Sequence, residues 1–317
     1  MWHHPCGCTV IAQMATVLAT LLPFPHRCMG QDLSEIPQVA GFTFVKTETI
    51  RYSEILGGRT THSERAVKVY RLNRFGTMLG IAADELGKDH GRLYYDSEFV
   101  LLPLDWKSIE TRVGSPVYEF RRDPDEEQHF ATITPCLFAR SEMTQRLYNQ
   151  VAPSAARRSR FAAPLNPVDS VSYAEAAQFA RDFGLHIPNE ATWEFACRGG
   201  SRTPFWTGDL LRTTEANFNG VFPYSESPDP RGYSHHKTTE IASFPANPHG
   251  LFDTHGNVAE YCESSRHPET GDTVVCRGGG WDCPASSCRS ASRWVVDKSA
   301  TSWSLGFRVY FPLKGNE

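Results

Sequence analysis

Three things are scarce in this 317-residue sequence, and each scarcity closes a class of function. There is no excess of basic charge: 32 Lys and Arg stand against 36 Asp and Glu, for a net charge of −4. Without a basic face the phosphate backbone has nothing to hold it, so nucleic acid is not an expected partner. There is no apolar run long enough to cross a bilayer. The longest, about Thr9 to Leu22, falls short of the roughly 18–20 residues a spanning helix needs, and the chain is not expected to span a membrane. Internal repeats, a Gly-x-Ser-x-Gly elbow, a dinucleotide fingerprint and a phosphate loop are all missing, which removes the solenoid, α/β-hydrolase and nucleotide-binding readings.

What is present describes a globular protein. Hydrophobic residues make up 40% of the chain, enough to bury a sizeable core. The 24 Gly, 21 Pro and seven Trp point to many turns pinned by aromatic packing rather than to long helices. The short apolar run near the start reads as the core of a signal peptide over residues 1–30, cut after Gly30, which implies a secreted or periplasmic protein; the competing reading is a buried N-terminal element. Three of the nine Cys fall in that segment. The remaining six, Cys136, Cys197, Cys262, Cys276, Cys283 and Cys288, could form disulfides in an oxidising compartment.

Residues 31–98 show weak periodicity and carry no assignable chemistry, although Ala66 to Leu72 alternates like a strand. From Phe99 the pattern sharpens, with strand-like stretches at Phe99 and at His129 to Thr134, and a helical one from Thr144 to Val151. A stretch rich in Ala, Pro, Ser and Arg over 152–166 reads as a linker or a surface loop. Ser172 and Glu175 have the spacing of a capping box before a helix that Gly184 stops. A second helix starts at Asn189 and ends at Gly199 and Gly200. Glu190 and Glu194 share one face of that helix, where service to the helix dipole is expected before acid–base chemistry.

A series of motifs follows in a specific order. They are Gly114-Ser-Pro, Asp125-Glu-Glu-Gln-His129, Ala139-Arg-Ser-Glu-Met-Thr-Gln145, Pro167-Val-Asp-Ser-Val-Ser-Tyr173, Ile187-Pro-Asn-Glu-Ala-Thr-Trp-Glu-Phe-Ala-Cys197, Ala216-Asn-Phe-Asn-Gly220, Gly250-Leu-Phe-Asp-Thr-His-Gly-Asn-Val-Ala-Glu-Tyr261, Cys276-Arg-Gly-Gly-Gly-Trp281 and Leu305-Gly-Phe-Arg308. In this order they resemble the sulfatase-modifying-factor family, which includes the formylglycine-generating enzyme. The resemblance covers residues 99–313. It implies one compact α+β domain, related to the C-type-lectin fold and poor in regular secondary structure. It does not by itself imply the activity, because the domain superfamily includes members with other roles.

The enzyme of that family oxidises a cysteine in a sulfatase peptide to formylglycine with O2, at a pair of cysteines five positions apart that bind Cu(I). Cys283 and Cys288 match that spacing and its offset from the glycines, and soft thiolates suit Cu(I). Five extended residues span about 17 Å, so the chain must double back, which Pro284 permits. The sequence departs from the enzyme at Gly280, where the enzyme has Ser, and at Pro284, where it has His. The enzyme's counterpart of Cys197 is disulfide-bonded to a cysteine near the position of Ser290, so Cys197 is expected to be free or to pair with Cys288 or Cys262. Two functions are therefore expected: a copper-dependent oxidase acting on a cysteine-containing peptide such as a sulfatase's, or a non-catalytic binding or structural member with Cys283 or Cys288 in a disulfide.

The resemblance also implies calcium. Asp253, the carbonyls of Gly256 and Val258, and Glu260 correspond to a Ca2+ loop, and two carboxylates flanking a Gly-Asn turn suit a hard cation. A second family loop is kept in Asn217 and the Phe218 carbonyl, with Arg231 near its acidic position, where a guanidinium can stand for the ion. His235 and His236 read as a solvated loop, and Trp281, Trp294 and Trp303 as core aromatics.

Overall fold

The computed structural model describes residues 38–102, 108–152, 159–224, 232–263 and 271–313. The expected signal peptide, Arg231 and the middle of the expected linker lie outside these residues. The chain is α+β and loop-rich, with three sheets and four short helices among the described residues.

Strands β1 (Phe42–Leu56) and β2 (Arg59–Leu72) form a long hairpin. It closes on Gly57 and Gly58, whose positive φ angles of 52° and 78° are what a two-residue turn matched to strand twist requires. The alternating Ala66 to Leu72 stretch is the inner half of β2. Next come α1 (Asn73–Met78), β3 (Glu98–Leu101), the ribbon β4 (Ile109–Val113) and β5 (His129–Ile133), and β6 (Cys136–Ala139). Farther on, β11 (Tyr310–Pro312) completes a five-stranded sheet in the order β1-β2-β3-β6-β11. Residues 42–72, set apart from 99–313 in the sequence reading, thus supply two of its five strands. Their Phe42, Tyr70 and Leu72 share one core with Phe99, Leu137 and Phe307.

The helices α2 (Gln145–Val151), α3 (Tyr173–Asp182) and α4 (Glu190–Arg198) start where their caps dictate. Thr144 accepts from Leu147 N, Ser172 and Glu175 exchange both bonds of a capping box, and Asn189 accepts from Thr192 N at 2.8 Å; each satisfies a donor that the first turn would leave open. Phe179 of α3 and Phe183 just after it pack on Phe75, and Phe179 also on Tyr148 and Phe307. The described part of 152–166 belongs to this packing: Asn166 accepts from Gln145 N and donates to Thr238, so it is a loop of the domain. A second sheet, β10-β7-β8-β9, is built from β7 (Ala259–Cys262), β8 (Thr273–Arg277), β9 (Arg293–Asp297) and β10 (Leu305–Gly306).

Buried ion pairs join these layers. Glu98 accepts from Arg71 at 3.0 Å and from Arg140 at 2.9 Å; Glu194 accepts from Arg198 at 2.8 Å and also from Arg277; Arg289 reaches Glu119 and Glu126, both at 2.7 Å. Charges removed from water persist only when each finds partners of this quality. This settles the role of the carboxylates on α4: Glu194 also accepts from Gly114 N, and Glu190 is taken by Arg293. They are scaffold.

Candidate functional site

The glycines after β8 let the backbone pass close to Cys288, and both late cysteines pack on one apolar cluster. Gly278 and Gly279 have φ of 87° and 68°, a region costly for other residues. A Cβ on Gly279 would lie 2.7 Å from Cys288 Sγ and 2.9 Å from Ser287 O. The chain then turns back: Cys283 N donates to Gly280 O at 3.0 Å, and Ala285–Cys288 forms a 3-10 turn in which Ser287 N donates to Pro284 O. The departure at Gly280 has a steric reason, since a Cβ there would sit 2.7 Å from Ser304 Cβ and 3.1 Å from Asp282 Oδ1.

Cys283 is half-buried and Cys288 is buried, and both pack on a cluster of Phe205, Leu211, Ala216, Phe218 and Tyr224. Burial pushes the Cys283 thiol up to about 12 and the Cys288 thiol well above its ordinary value, where the nearby Cys283 and Asp282 add to the effect. Cys283 Sγ lies 3.7 Å from Asp282 Oδ1, and Ser304 Oγ holds the other carboxylate oxygen at 3.1 Å. Beneath the turn is a residue the sequence reading passed over. Trp206 N donates to His255 Nε2 at 3.2 Å, so the proton is on Nδ1, which donates to the Cys288 carbonyl at 2.7 Å. Burial drives His255 down to about 3, so the ring stays neutral. It sat in plain view inside the Gly250 to Tyr261 motif, but nothing in a sequence ranks one His over another.

All six cysteines of the described residues are free thiols. The disulfide expected at Cys283 or Cys288 under the non-catalytic reading is not formed, nor is one at Cys197. Cys197 instead donates to Thr254 O at 3.5 Å and lies 3.7 Å from Ser290 Oγ. A hydroxyl therefore meets this thiol where the resemblance implies a second sulfur.

The expected cation loops differ in their fit to calcium. Glu260 Oε1 accepts from Arg308 Nη2 at 2.7 Å and Nε at 3.1 Å, while Oε2 accepts from Trp193 Nε1 at 2.6 Å and Arg308 Nε at 3.0 Å. With both oxygens occupied by donors, that carboxylate does not fit the ligand role the resemblance implies. Asp253 Oδ2 accepts from Ala242 N at 2.7 Å, and burial raises its carboxyl to about 6. Asn217 does fit: its Oδ1 is buried and accepts no hydrogen bond among the described residues, while its Nδ2 donates to Lys237 O and Asn257 Oδ1. No group of three or more His, Cys, Asp or Glu converges on a metal position among the described residues; this includes His235 and His236. Trp281 is buried, but Trp303 is 45% exposed with the Arg160 guanidinium 4.1 Å above its ring, so it is not the core residue expected. A separate cleft of about 630 Å³ lies between β4–β5 and α4, lined by Glu127, Phe130, Glu190 and Arg293 among others, and contains neither Cys283 nor Cys288.

The family profile described as the sulfatase-modifying factor enzyme 1-like domain matches residues 113–311. The chain belongs to this family. It is 33% identical over 178 residues to a formylglycine-generating enzyme of Streptomyces coelicolor, covering 49% of this chain and 56% of that protein. It is 31% identical over 150 residues to the inactive C-alpha-formylglycine-generating enzyme 2 of Mus musculus, covering 45% and 48%. The chain thus spans about half the length of these curated relatives. Among solved structures, PvdO from Pseudomonas aeruginosa superposes with a TM-score of 0.57 at 24% identity over 68% of this chain and 94% of that one, which shows a shared fold. The sulfatase-modifying-factor match begins within β4 and leaves out the β1–β2 hairpin.

Proposed function

We propose that this chain is an oxidase that converts a peptidyl cysteine, of the sulfatase type, to formylglycine, with Cys283 and Cys288 as the ligands of one Cu(I) ion. The observation that carries the reading is two free thiols five residues apart on one turn, packed on the same apolar cluster and near enough for Cys283 to raise the Cys288 thiol, with Cys283 only partly buried. Bound there, copper would supply O2 activation, and two soft donors suit the monovalent ion. The residues contribute the rest. Cys283, the less buried of the two, is the one a peptide thiol would approach. Cys288 is held from below by the His255 Nδ1–H bond to its carbonyl. Because burial keeps both thiols protonated at neutral pH, neither is a free nucleophile, and a metal must displace their protons to bind.

The electron balance names one further reactant. Converting a CH2–SH carbon to an aldehyde with release of hydrogen sulfide consumes one water and yields two electrons and two protons, whereas reducing O2 to water takes four of each. An external pair of thiols must supply the other two, becoming a disulfide. The same proposal includes export of the chain after removal of residues 1–30. Calcium, if the protein holds it, belongs with Asn217 Oδ1 and the Phe218 carbonyl.

The test is co-expression with a sulfatase and mass analysis of its target cysteine. Conversion that needs copper and O2 and is lost in Cys283→Ser is expected; an intact thiol under those conditions sinks the proposal. A second reading, a non-catalytic binding member, is favoured by Gly280 and Pro284, which replace the serine and histidine the resemblance implies.

A further inference from the structure

The edge of the five-stranded sheet suggests a partner. Strand β1 is the terminal strand, and its backbone direction follows from the hairpin. Leu56 pairs with Arg59 across the two-residue turn, so the even-numbered residues from 56 back to 46 point their N–H and C=O at β2, and the odd-numbered ones point outward. Ile55 agrees: its N donates to Thr207 O at 3.1 Å and its O accepts from Asp209 N at 3.3 Å, capping that end of the edge. At the other end the ladder shifts register between Phe44 and Lys46, a bulge that bends the strand away. Between cap and bulge lie Thr47, Thr49, Arg51 and Ser53, all exposed, whose outward N–H and C=O groups have no backbone partner among the described residues.

We propose that this window pairs antiparallel with the same window of a second copy of the chain, joining two sheets across a twofold axis at Ile50. Only registers that oppose odd-numbered residues match donors to acceptors. Centring on Ile50 opposes Thr47 to Ser53 and Thr49 to Arg51, which satisfies all eight outward groups. It also sets Lys46 of each copy against Glu54 of the other. Moving the axis by one residue to residue 51 would oppose Arg51 to Arg51 and Glu48 to Glu54, like charges that are unfavourable across a strand pair; moving it to residue 49 would leave Ser53 of each copy unpaired. The bulge at Phe44/Lys46 turns each strand aside just before it would meet the Thr207–Asp209 cap of the other. Of the strand's charges, Lys46, which already meets Asp89 and Glu48 in one copy, faces Glu54 of the other copy twice across the axis, which is the complementarity that selects a second copy over an unrelated peptide. Such an interface is isologous and closes at two chains.

Sedimentation of the full chain at roughly 100 µM, a concentration that populates weak interfaces, is expected to show a dimer. Thr49→Pro removes an N–H that the monomer does not use and is expected to raise the dimer Kd at least about tenfold, with the circular dichroism spectrum unchanged. Thr47→Cys/Ser53→Cys is the variant that does not depend on a Pro being tolerated. Within one strand those residues are about 20 Å apart and cannot bridge, so mild oxidation should give a 47–53 disulfide between chains, identified by peptide mass mapping. A monomer at that concentration, a dimer unaffected by Thr49→Pro, a crosslink lying elsewhere, or an edge occupied instead by another peptide would each overturn the proposal. None of these outcomes bears on the copper reading.

Discussion

The loop that carries Cys283 and Cys288 and the loop that carries Asp253 and Glu260 are neighbours. Gly256 N donates to Gly278 O, Trp281 N donates to Asn257 O, and His255 reaches from one loop to the Cys288 carbonyl of the other. Both hold ligand-type side chains in a family motif, yet they dispose of them in opposite ways. The carboxylate loop spends its polar atoms on the rest of the fold: Glu260 is saturated by Arg308 and Trp193, and Asn257 Nδ2 and Val258 N donate to Glu142 from the segment after β6. The thiol loop commits its sulfurs only to long thiol hydrogen bonds, Cys283 to Asp282 Oδ1 and Cys288 to the Pro284 carbonyl, both at 3.7 Å. A ligand-type side chain is a ligand only if the fold has not already used it, and the chain makes that choice twice in adjacent turns.

The sharpest way to break this contrast is to unpair the carboxylate loop. Glu260→Gln strips the buried Arg308 guanidinium of its hydrogen-bonded counter-charge, and loss of one partner from a buried pair costs roughly 3–5 kcal/mol. Urea denaturation of the variant should show that loss with calcium present or absent. A loss below about 1 kcal/mol, or one that calcium restores, would mean the carboxylate serves an ion after all.

The thiol loop should behave in the reverse manner. Cys283→Ser changes a half-exposed side chain and is expected to cost less than about 1 kcal/mol of stability, while lowering Cu(I) affinity at least about 100-fold, since a hydroxyl is a poor ligand for a soft ion. Competition with a colorimetric Cu(I) chelator under anaerobic conditions measures the second effect. Affinity within tenfold of the parent protein would remove Cys283 from the site.

How far these loops were legible in the sequence follows from the same contrast. The spacing of Cys283 and Cys288 and the glycines before them are local, and the turn they make is the one that spacing calls for. The capping box, the other N-caps and the helix ends are local as well. The fate of Glu260 was not legible, because Arg308 lies 48 residues away and Trp193 lies 67 residues away, and nothing in the intervening sequence says that the segment between β10 and β11 and the helix α4 will deliver both. For the same reason the β1–β2 hairpin showed only one alternating stretch. Its far half, Arg59 to Glu64, is exposed on both faces, so hydrophobic periodicity has nothing to report there.

Acid should move the two loops in opposite directions. His255, under the thiol loop, is pushed down to about 3 by burial. The unfolded chain takes up a proton near 6.5 that the fold refuses, so this contribution is full above pH 6.5 and is lost as pH falls toward 3, by about 2 kcal/mol at pH 5. Asp253, in the carboxylate loop, is raised to about 6 by burial. Its contribution is full below the ordinary carboxyl range and is lost as pH rises through 6. Chemical denaturation between pH 4 and 8 should therefore show His255→Gln flattening the acid limb and Asp253→Asn raising stability only on the neutral side. Parallel shifts of the whole curve by both variants would contradict these assignments.

The smallest effect concerns where calcium goes. Asn217 Oδ1 is an acceptor buried without a donor, and such an atom costs free energy unless something fills the need; a hard cation does so, and Glu260 has no such need. At ten times its Kd, Ca2+ would stabilise the fold by about 1.4 kcal/mol, a rise in Tm of roughly 2–3 °C for a chain of this size. That rise should survive in Glu260→Gln and vanish in Asn217→Ala, each compared with its own metal-free form so that the intrinsic cost of the substitution cancels. The opposite pattern, a rise kept in Asn217→Ala and lost in Glu260→Gln, would make the carboxylate loop the cation's seat, and the Arg308 pair would then be the arrangement the ion displaces.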